Sequence, residues 1–312
     1  EMGGKIIPIL ARNPVYRMFK LTQFLKKHKE YKIVHAHTLL SNAFHLIAAK
    51  NAGVKHRISH SHSTSNGHSS FAKKIYEKWA LITNRQVATY KIACGKLAAQ
   101  YLFGTMDNVL LLPNAVDISE MTDIAECSRD YIMHQFKDDG MKLIQVGRLN
   151  EIKNHNFSLK IARELKKRKI QFTFYIVGQG PLESKLKQQV EDALLSHNVK
   201  FLGVRNDIAQ LMASADFMIM PSLHEGFPVV LVESQTVGLT AIVSNQVSKE
   251  VDLGLGLVEF LPIKFIDGWV DRILKPKVIN VSDINIAEIL KNQGFDVAEN
   301  ANQLTAIYNT FN

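Results

Sequence analysis

The chain of 312 residues is 46% hydrophobic and 21% charged, ordinary for a globular protein with material for two cores. It offers no run of about 18 apolar residues for a membrane span and no basic-then-apolar leader pattern. Its two cysteines, Cys94 and Cys127, lack the spacing of a zinc site or disulfide framework, which fits a reducing, cytoplasmic address.

The net charge of +9 is unevenly placed. Residues 1–118 carry 17 Lys and Arg against 5 Asp and Glu, a net of +12, and the rest carries 21 against 24, a net of −3. An anionic partner for the front half follows, and an acidic membrane surface fits better than nucleic acid. No zinc-finger spacing, aromatic-rich basic strand or helix-turn-helix signal accompanies the charge. The alternative is a solvated basic surface.

In chain order, short apolar strands are predicted over 6–10, 32–36, 57–60, 92–94 and 109–112, with amphipathic helices over 15–27 and 42–51. A polar, acid-rich stretch at 119–140 follows. The pattern then restarts with strands at 142–146, 172–177, 199–202, 217–220 and 240–243, interleaved with helices at 157–167, 182–195, 208–214 and 229–237. The tail, 283–312, reads as two helices parted near Gln293-Gly294. Strand–helix alternation implies parallel sheets with helices on both faces. Because it occurs twice, we expect two Rossmann-like, doubly wound domains, 1–118 and 119–312, facing a cleft at their C-terminal strand ends. The last helix is a candidate to pack back on the first domain. The chain opens at Glu1, directly into an apolar run, so the first domain is expected to be incomplete at its start.

The chemistry-bearing residues lie at predicted strand ends. In His224-Glu225-Gly226-Phe227-Pro228-Val229-Val230-Leu231-Val232-Glu233, an apolar strand leads into a helix, with Pro228 suited to the first helical position. Backbone N–H groups at 226–230 would form an anion site, and Gly226 would admit a ligand close to the backbone. Glu233, in apolar surroundings, needs a hydrogen-bonding partner, for which a ribose diol is suitable. The plainer reading is a solvated helix start with Glu225 near the dipole. Gly147-Arg148 and Lys153-Asn154 put two cations on a loop after a strand, where they could clamp a diphosphate, or else be surface charges. Val177-Gly178-Gln179-Gly180-Pro181 has Glu183 where a dinucleotide fingerprint has its third glycine, so it reads as a structural turn. His35-Ala36-His37 and His60-Ser61-His62 alternate like metal ligands, but no carboxylate stands close to either pair. Satisfied loop histidines are the plainer reading, and no metal is expected there.

Taken together, Glu-x₇-Glu around Gly-Phe-Pro, Gly147-Arg148…Lys153-Asn154 and the Val-Gly-x-Gly-Pro-Leu turn resemble retaining glycosyltransferases of family 4, which have the GT-B fold. The resemblance covers about residues 31–245, and the histidine pairs resemble its exopolysaccharide and capsule branch. It implies transfer of a hexose from a nucleotide-diphosphate sugar to a glycan or lipid-linked acceptor, with retention and without a cofactor or metal. It assigns the diphosphate to Arg148 and Lys153 with Gly147, the hexose to Glu225 and the ribose to Glu233. Gly226, Phe227, Pro228 and Val229 would line the phosphates, and the segment around Val204 would meet the base. His62, with His60 as its rival, would contact the sugar. The absence of any Asp-x-Asp from the sequence fits a metal-free diphosphate site. A nucleotide-sugar epimerase of the same fold and a non-catalytic carbohydrate- or membrane-binding protein are the alternatives.

Overall fold

The structure is a computed structural model that describes residues 3–63, 70–277, 279 and 284–311. It divides into two compact units, one formed by Glu1–Pro113 with Asn300–Asn312 and the other by Asn114–Glu299.

The first unit opens with α1 (Pro14–Lys27), started by Asn13, whose side chain accepts the Tyr16 N–H at 2.8 Å. There follow β1 (Ile33–Ala36), α2 (Asn42–Asn51), β2 (His56–Ser61), α3 (Phe71–Val87), β3 (Tyr90–Ala93), α4 (Lys96–Phe103) and β4 (Val109–Leu111). The strand expected at 6–10 does not form. Ile6 is 95% and Leu10 78% exposed, and β1 pairs with β2 alone, so its other edge is left without a strand.

The second unit holds α5 (Ile118–Cys127), α6 (Tyr131–Phe136), β5 (Met141–Val146), α7 (His155–Lys167), β6 (Phe172–Val177), α8 (Glu183–Asp192), β7 (Val199–Gly203), α9 (Ile208–Ala213), β8 (Phe217–Met220), α10 (Val229–Thr236), β9 (Ala241–Ser244), β10 (Val258–Leu261), α11 (Ile266–Leu274) and α12 (Ile286–Asn292). Last in the chain comes α13 (Val297–Asn309), whose residues from Asn300 onward belong to the first unit. The polar stretch at 119–140 proves to contain α5 and α6, because Ile118 and Ile132 give each a buried anchor.

The first sheet is parallel in the order β1-β2-β3-β4. Strands that advance in one direction through right-handed crossovers put their helices on one face. There Ala43 of α2, Ala80 of α3 and Leu102 of α4 pack with Ala93. The opposite face, Ile58, Ile92 and Leu112, is covered by Leu304 and Tyr308 of α13 and by Phe311.

The second sheet is parallel in the order β10-β9-β8-β5-β6-β7. β6 is buried at all six positions, as expected of a strand covered on both sides. Its Phe174 and Ile176 face a core with α7, α8 and α11, and its Tyr175 and Val177 face one with α6, α9 and α10.

Candidate active site

In the second sheet the strand order reverses between the neighbours β5 and β8. Loops leaving such neighbours part to opposite faces and open a crevice at the carboxyl ends, where open α/β sheets bind ligands. The two loops are 147–154, after β5, and 221–228, after β8.

The β5 loop is held by the glycine turn after β6. The Gly147 N–H donates to the Val177 carbonyl at 2.9 Å, and the Leu149 N–H to the Gln179 carbonyl at 3.0 Å. A Cβ on Gly178 (φ +130) would lie 2.1 Å from the Gly147 oxygen, and one on Gly180 would lie 2.3 Å from the Leu149 oxygen. Backbone against backbone leaves no room, so both positions require glycine. Gly178-x-Gly180 is the structural turn expected from the sequence, and it tightens the loop that bears Arg148. The Arg148 side chain is exposed, with no ion pair among the described residues.

Lys153 is positioned by a polar scaffold under that loop. Its N–H donates to Asn150 Oδ1 at 3.1 Å and its carbonyl accepts from Gln145 Nε2 at 2.8 Å. Gln145, buried in β5, in turn accepts from Ser158 of α7 at 2.6 Å. The next residue, Asn154, is left-handed (φ +51), and its amide donates to the Pro221 carbonyl at 3.0 Å. The Leu223 N–H reaches the Ile152 carbonyl at 2.8 Å. The two loops are thereby stitched across the switch point, and Lys153 Nζ meets Glu225 Oε1 at 2.7 Å, with side chains 16% and 19% exposed. A Cβ on Gly147 would lie 2.9 Å from Lys153 Cε, so glycine there leaves the lysine its path. Below, His155 is buried with neither ring nitrogen bonded. Burial, with Lys153 second, lowers its pKa to about 4.

α10 starts at Val229, where the predicted helix starts, so Pro228 is not its first helical residue. Pro228, with ψ 113, is the extended N-cap, and Val229 is the first helical residue. A proline's fixed φ suits the cap as well as the first turn, so helix physics alone did not separate the two. The Leu231 N–H closes on the Pro228 carbonyl at 3.0 Å, which leaves the N–H groups of Val229 and Val230 as donors at the helix start. Gly226 leads in, and Phe227 stacks on Phe295 at 5.7 Å. Glu233 is half-buried, and burial pushes its pKa above the ordinary carboxylate value. No ion pair to it occurs among the described residues. Val204, just past β7, is 68% exposed, next to Gly203, whose carbonyl accepts the Gly178 N–H at 2.7 Å.

His62 belongs to the first unit. Its Nε2 lies 2.9 Å from His37 Nδ1. His35 and His60 are strand residues of β1 and β2 rather than loop histidines. His35 engages the Tyr308 hydroxyl through Nδ1 at 2.7 Å. His60 is 5% exposed with neither nitrogen bonded. Burial, followed by the neighbouring histidines, depresses His60 to about 2 and His35 to about 3. The link from His35 to Tyr308 spans 273 positions, beyond the reach of any local pattern.

A 3-2-1-4-5-6 parallel sheet with a cation–carboxylate pair across its switch point, in a chain whose other unit has a parallel sheet of its own, fits the GT-B class of glycosyltransferases. Comparison with known proteins agrees. The profile described as "Glycosyl transferases group 1" matches residues 132–252. The "Putative glycosyltransferase EpsF" of Bacillus subtilis is 34% identical over 99% of this chain and 83% of that protein. A "UDP-Gal:alpha-D-GlcNAc-diphosphoundecaprenol alpha-1,3-galactosyltransferase" of Escherichia coli is 28% identical over 97% of this chain and 82% of its own length. The crystal structure of HepE from Anabaena in complex with UDP superposes with a TM-score of 0.74 at 19% identity, covering 93% of this chain and 82% of that one. The chain belongs to the glycosyl transferases group 1 family and is a glycosyltransferase.

Proposed function

We propose that the chain transfers a hexose from a UDP-sugar to a glycan or lipid-linked acceptor in surface polysaccharide synthesis, with retention at the anomeric carbon. The observation that carries this reading is the Lys153–Glu225 pair at the β5/β8 switch point, 2.7 Å long and mostly shielded from water. A half-buried ammonium beside an exposed Arg148 meets the charge of a departing diphosphate, assisted by the Val229 and Val230 N–H groups. With no Asp-x-Asp in the chain, these groups neutralise the diphosphate without a divalent ion. Glu225, released as Lys153 turns to phosphate, accepts hydroxyls of the sugar. Glu233 accepts the ribose diol, which supplies the hydrogen bonds its carboxylate lacks. The Val204 segment lies beside the base, and His62 contacts the sugar. The acceptor oxygen attacks on the leaving-group face and the diphosphate takes its proton, so no enzyme nucleophile is required. The UDP in the HepE complexes and the UDP-sugar and lipid-diphosphate in the galactosyltransferase's name support the choice of substrates.

A membrane-bound acceptor also accords with α3. Phe71, Ile75, Trp79 and Ile82 recur at helical spacing and are 80%, 58%, 38% and 42% exposed. Lys74, Lys78 and Arg85 flank them, in the manner of a helix lying in the interface of an anionic bilayer. We place the protein on the inner face of the cell membrane. No helix among the described residues is long and apolar enough to cross it.

The test is a thermal-shift panel of UDP, GDP, ADP and their sugars, since ligand binding raises stability by mass action. UDP should give the largest shift and UDP-sugars should be consumed only when acceptor is present. Turnover of UDP-sugar to an isomer without acceptor would instead identify an epimerase.

A further inference from the structure

At the carboxyl ends of β1 and β2, four histidines gather from two strand-to-loop exits. Ring centroids lie 4.0 Å apart for His35 and His37, 4.9 Å for His37 and His60, and 4.0 Å for His60 and His62. One nitrogen from each of His35, His37 and His60 falls within 4.8 Å of the other two. His60 is 5% exposed with both nitrogens unbonded, and His35 Nε2 is buried and unbonded as well. A buried polar group without a partner loses its hydration and gains nothing in return, so this cluster calls for an occupant.

We infer that His35, His37 and His60 form a binding site for a borderline divalent transition ion, Zn²⁺ foremost. An all-imidazole set selects zinc, copper or nickel and rejects magnesium and calcium, which require oxygen. Three histidines with an open fourth position are a sufficient zinc set, so the lack of a nearby carboxylate is no obstacle. Metal-binding histidines fix their ring by engaging the second nitrogen, and two of these do so already. His35 gives Nδ1 to the Tyr308 hydroxyl at 2.7 Å, and His37 gives Nδ1 to His62 Nε2 at 2.9 Å. Nε2 remains to each for the ion, and an ion on either nitrogen of His60 supplies a partner that ring lacks. Zinc–nitrogen bonds of about 2.0–2.1 Å put tetrahedral ligands about 3.3 Å apart. The three nitrogens therefore draw closer together when the ion binds, and His37 is the exposed member of the set.

The site lies within the first unit, and His62, which engages the His37 ring, is the histidine proposed above to contact the sugar, so the test reads metal binding without nucleotide. The full chain, stripped with chelator and dialysed, is titrated with Co²⁺ and, by competition with a chromophoric chelator, with Zn²⁺. One equivalent should bind, with intense visible Co²⁺ absorption of a tetrahedral site that Zn²⁺ bleaches and Mg²⁺ does not. His60→Ala and His37→Ala should each remove it. His37 is exposed, so its variant tests the site where loss of the buried His60 might unfold the sheet end, and circular dichroism reports which occurs. Tyr308→Phe should weaken binding about 10- to 100-fold through the freed His35 ring, a response that scattered surface histidines would not give. Absence of stoichiometric binding by the unmodified chain, or binding that survives His37→Ala and ignores Tyr308→Phe, overturns the assignment.

Discussion

Glu225 and Lys153 are each other's partners, and for a lysine proposed to hold a diphosphate this makes opposite demands on their variants. Nucleotide diphosphate must draw Lys153 away from a carboxylate 2.7 Å distant. With both side chains less than a fifth exposed, the pair lies between the exposed limit of about 0–1 kcal/mol and the several kcal/mol of a fully buried one. A net of about 1 kcal/mol is reasonable. Glu225→Gln removes this competitor while retaining shape, so UDP should bind up to about fivefold more tightly. Lys153→Ala deletes a charge-assisted hydrogen bond worth about 1.5–3 kcal/mol and should weaken UDP about 10- to 100-fold. Isothermal titration calorimetry with UDP alone measures both, and low ionic strength should widen the gap between them. In transfer assays both variants should be slow, the glutamine one by about 100-fold. If Glu225→Gln loses as much UDP affinity as Lys153→Ala, the carboxylate binds nucleotide directly and the competition argument fails.

Other consequences are checked more briefly. Arg148→Ala should lower transfer at least about 100-fold from lost leaving-group stabilisation, and EDTA should leave transfer intact; activity that vanishes and returns only with Mg²⁺ or Mn²⁺ would refute the cation account. Glu233→Ala should weaken plain UDP, whereas Glu233→Gln should raise the melting temperature at pH 7. A carboxyl whose folded pKa is raised costs the fold stability as pH climbs from its ordinary value to the raised one, so the gain should be complete at pH 7 and disappear below the ordinary carboxylate range. His155 works in the other direction: depressed from 6.5 to about 4, it stays neutral when folded, and stability is lost as pH falls from about 6.5 toward 4. That loss is worth about 3 kcal/mol at most, and it should be missing from His155→Leu in urea titrations at pH 7 and pH 4.5. Finally, the first unit should bind vesicles containing anionic lipid and release them as salt rises, and Trp79→Ser with Ile75→Ser should reduce binding; equal binding to neutral vesicles would return the +12 of residues 1–118 to a solvated surface.

Much of this was legible from periodicity. The strands Phe172–Val177 and Phe217–Met220 are continuous apolar runs, and such runs mark parallel strands buried on both faces. Their termini locate the glycine turn and the Glu225 loop without further information. Where the rule misled, the cause is tertiary. The run at 6–10 is apolar enough for a strand but stays exposed and unpaired, and β10 (Val258–Leu261) was hidden because its residues are only half-buried. Proline at 228 satisfied two adjacent helix positions equally. The motif residues Lys153 and Glu225 were visible as types, yet nothing in their separation along the chain showed that they touch. The scaffold of Gln145, Ser158 and Asn154 also went unseen, although a glutamine inside the apolar strand Met141–Val146 was a signal. A polar side chain there must find buried partners. The histidines stand in the sequence as two separate pairs, and only the pairing of β1 with β2, with Ala36 opposite Ser59, sets them side by side.

The covering of the first sheet by α13 also has a consequence for synthesis. Ile58, Ile92 and Leu112 are translated long before Leu304, Tyr308 and Phe311, which shield them, and all of Asn114–Glu299 intervenes. On the ribosome the second unit has every piece it needs while the first still presents a bare apolar face. The later unit in the sequence should therefore be the earlier to complete, and the waiting face is where a chaperone would find its grip.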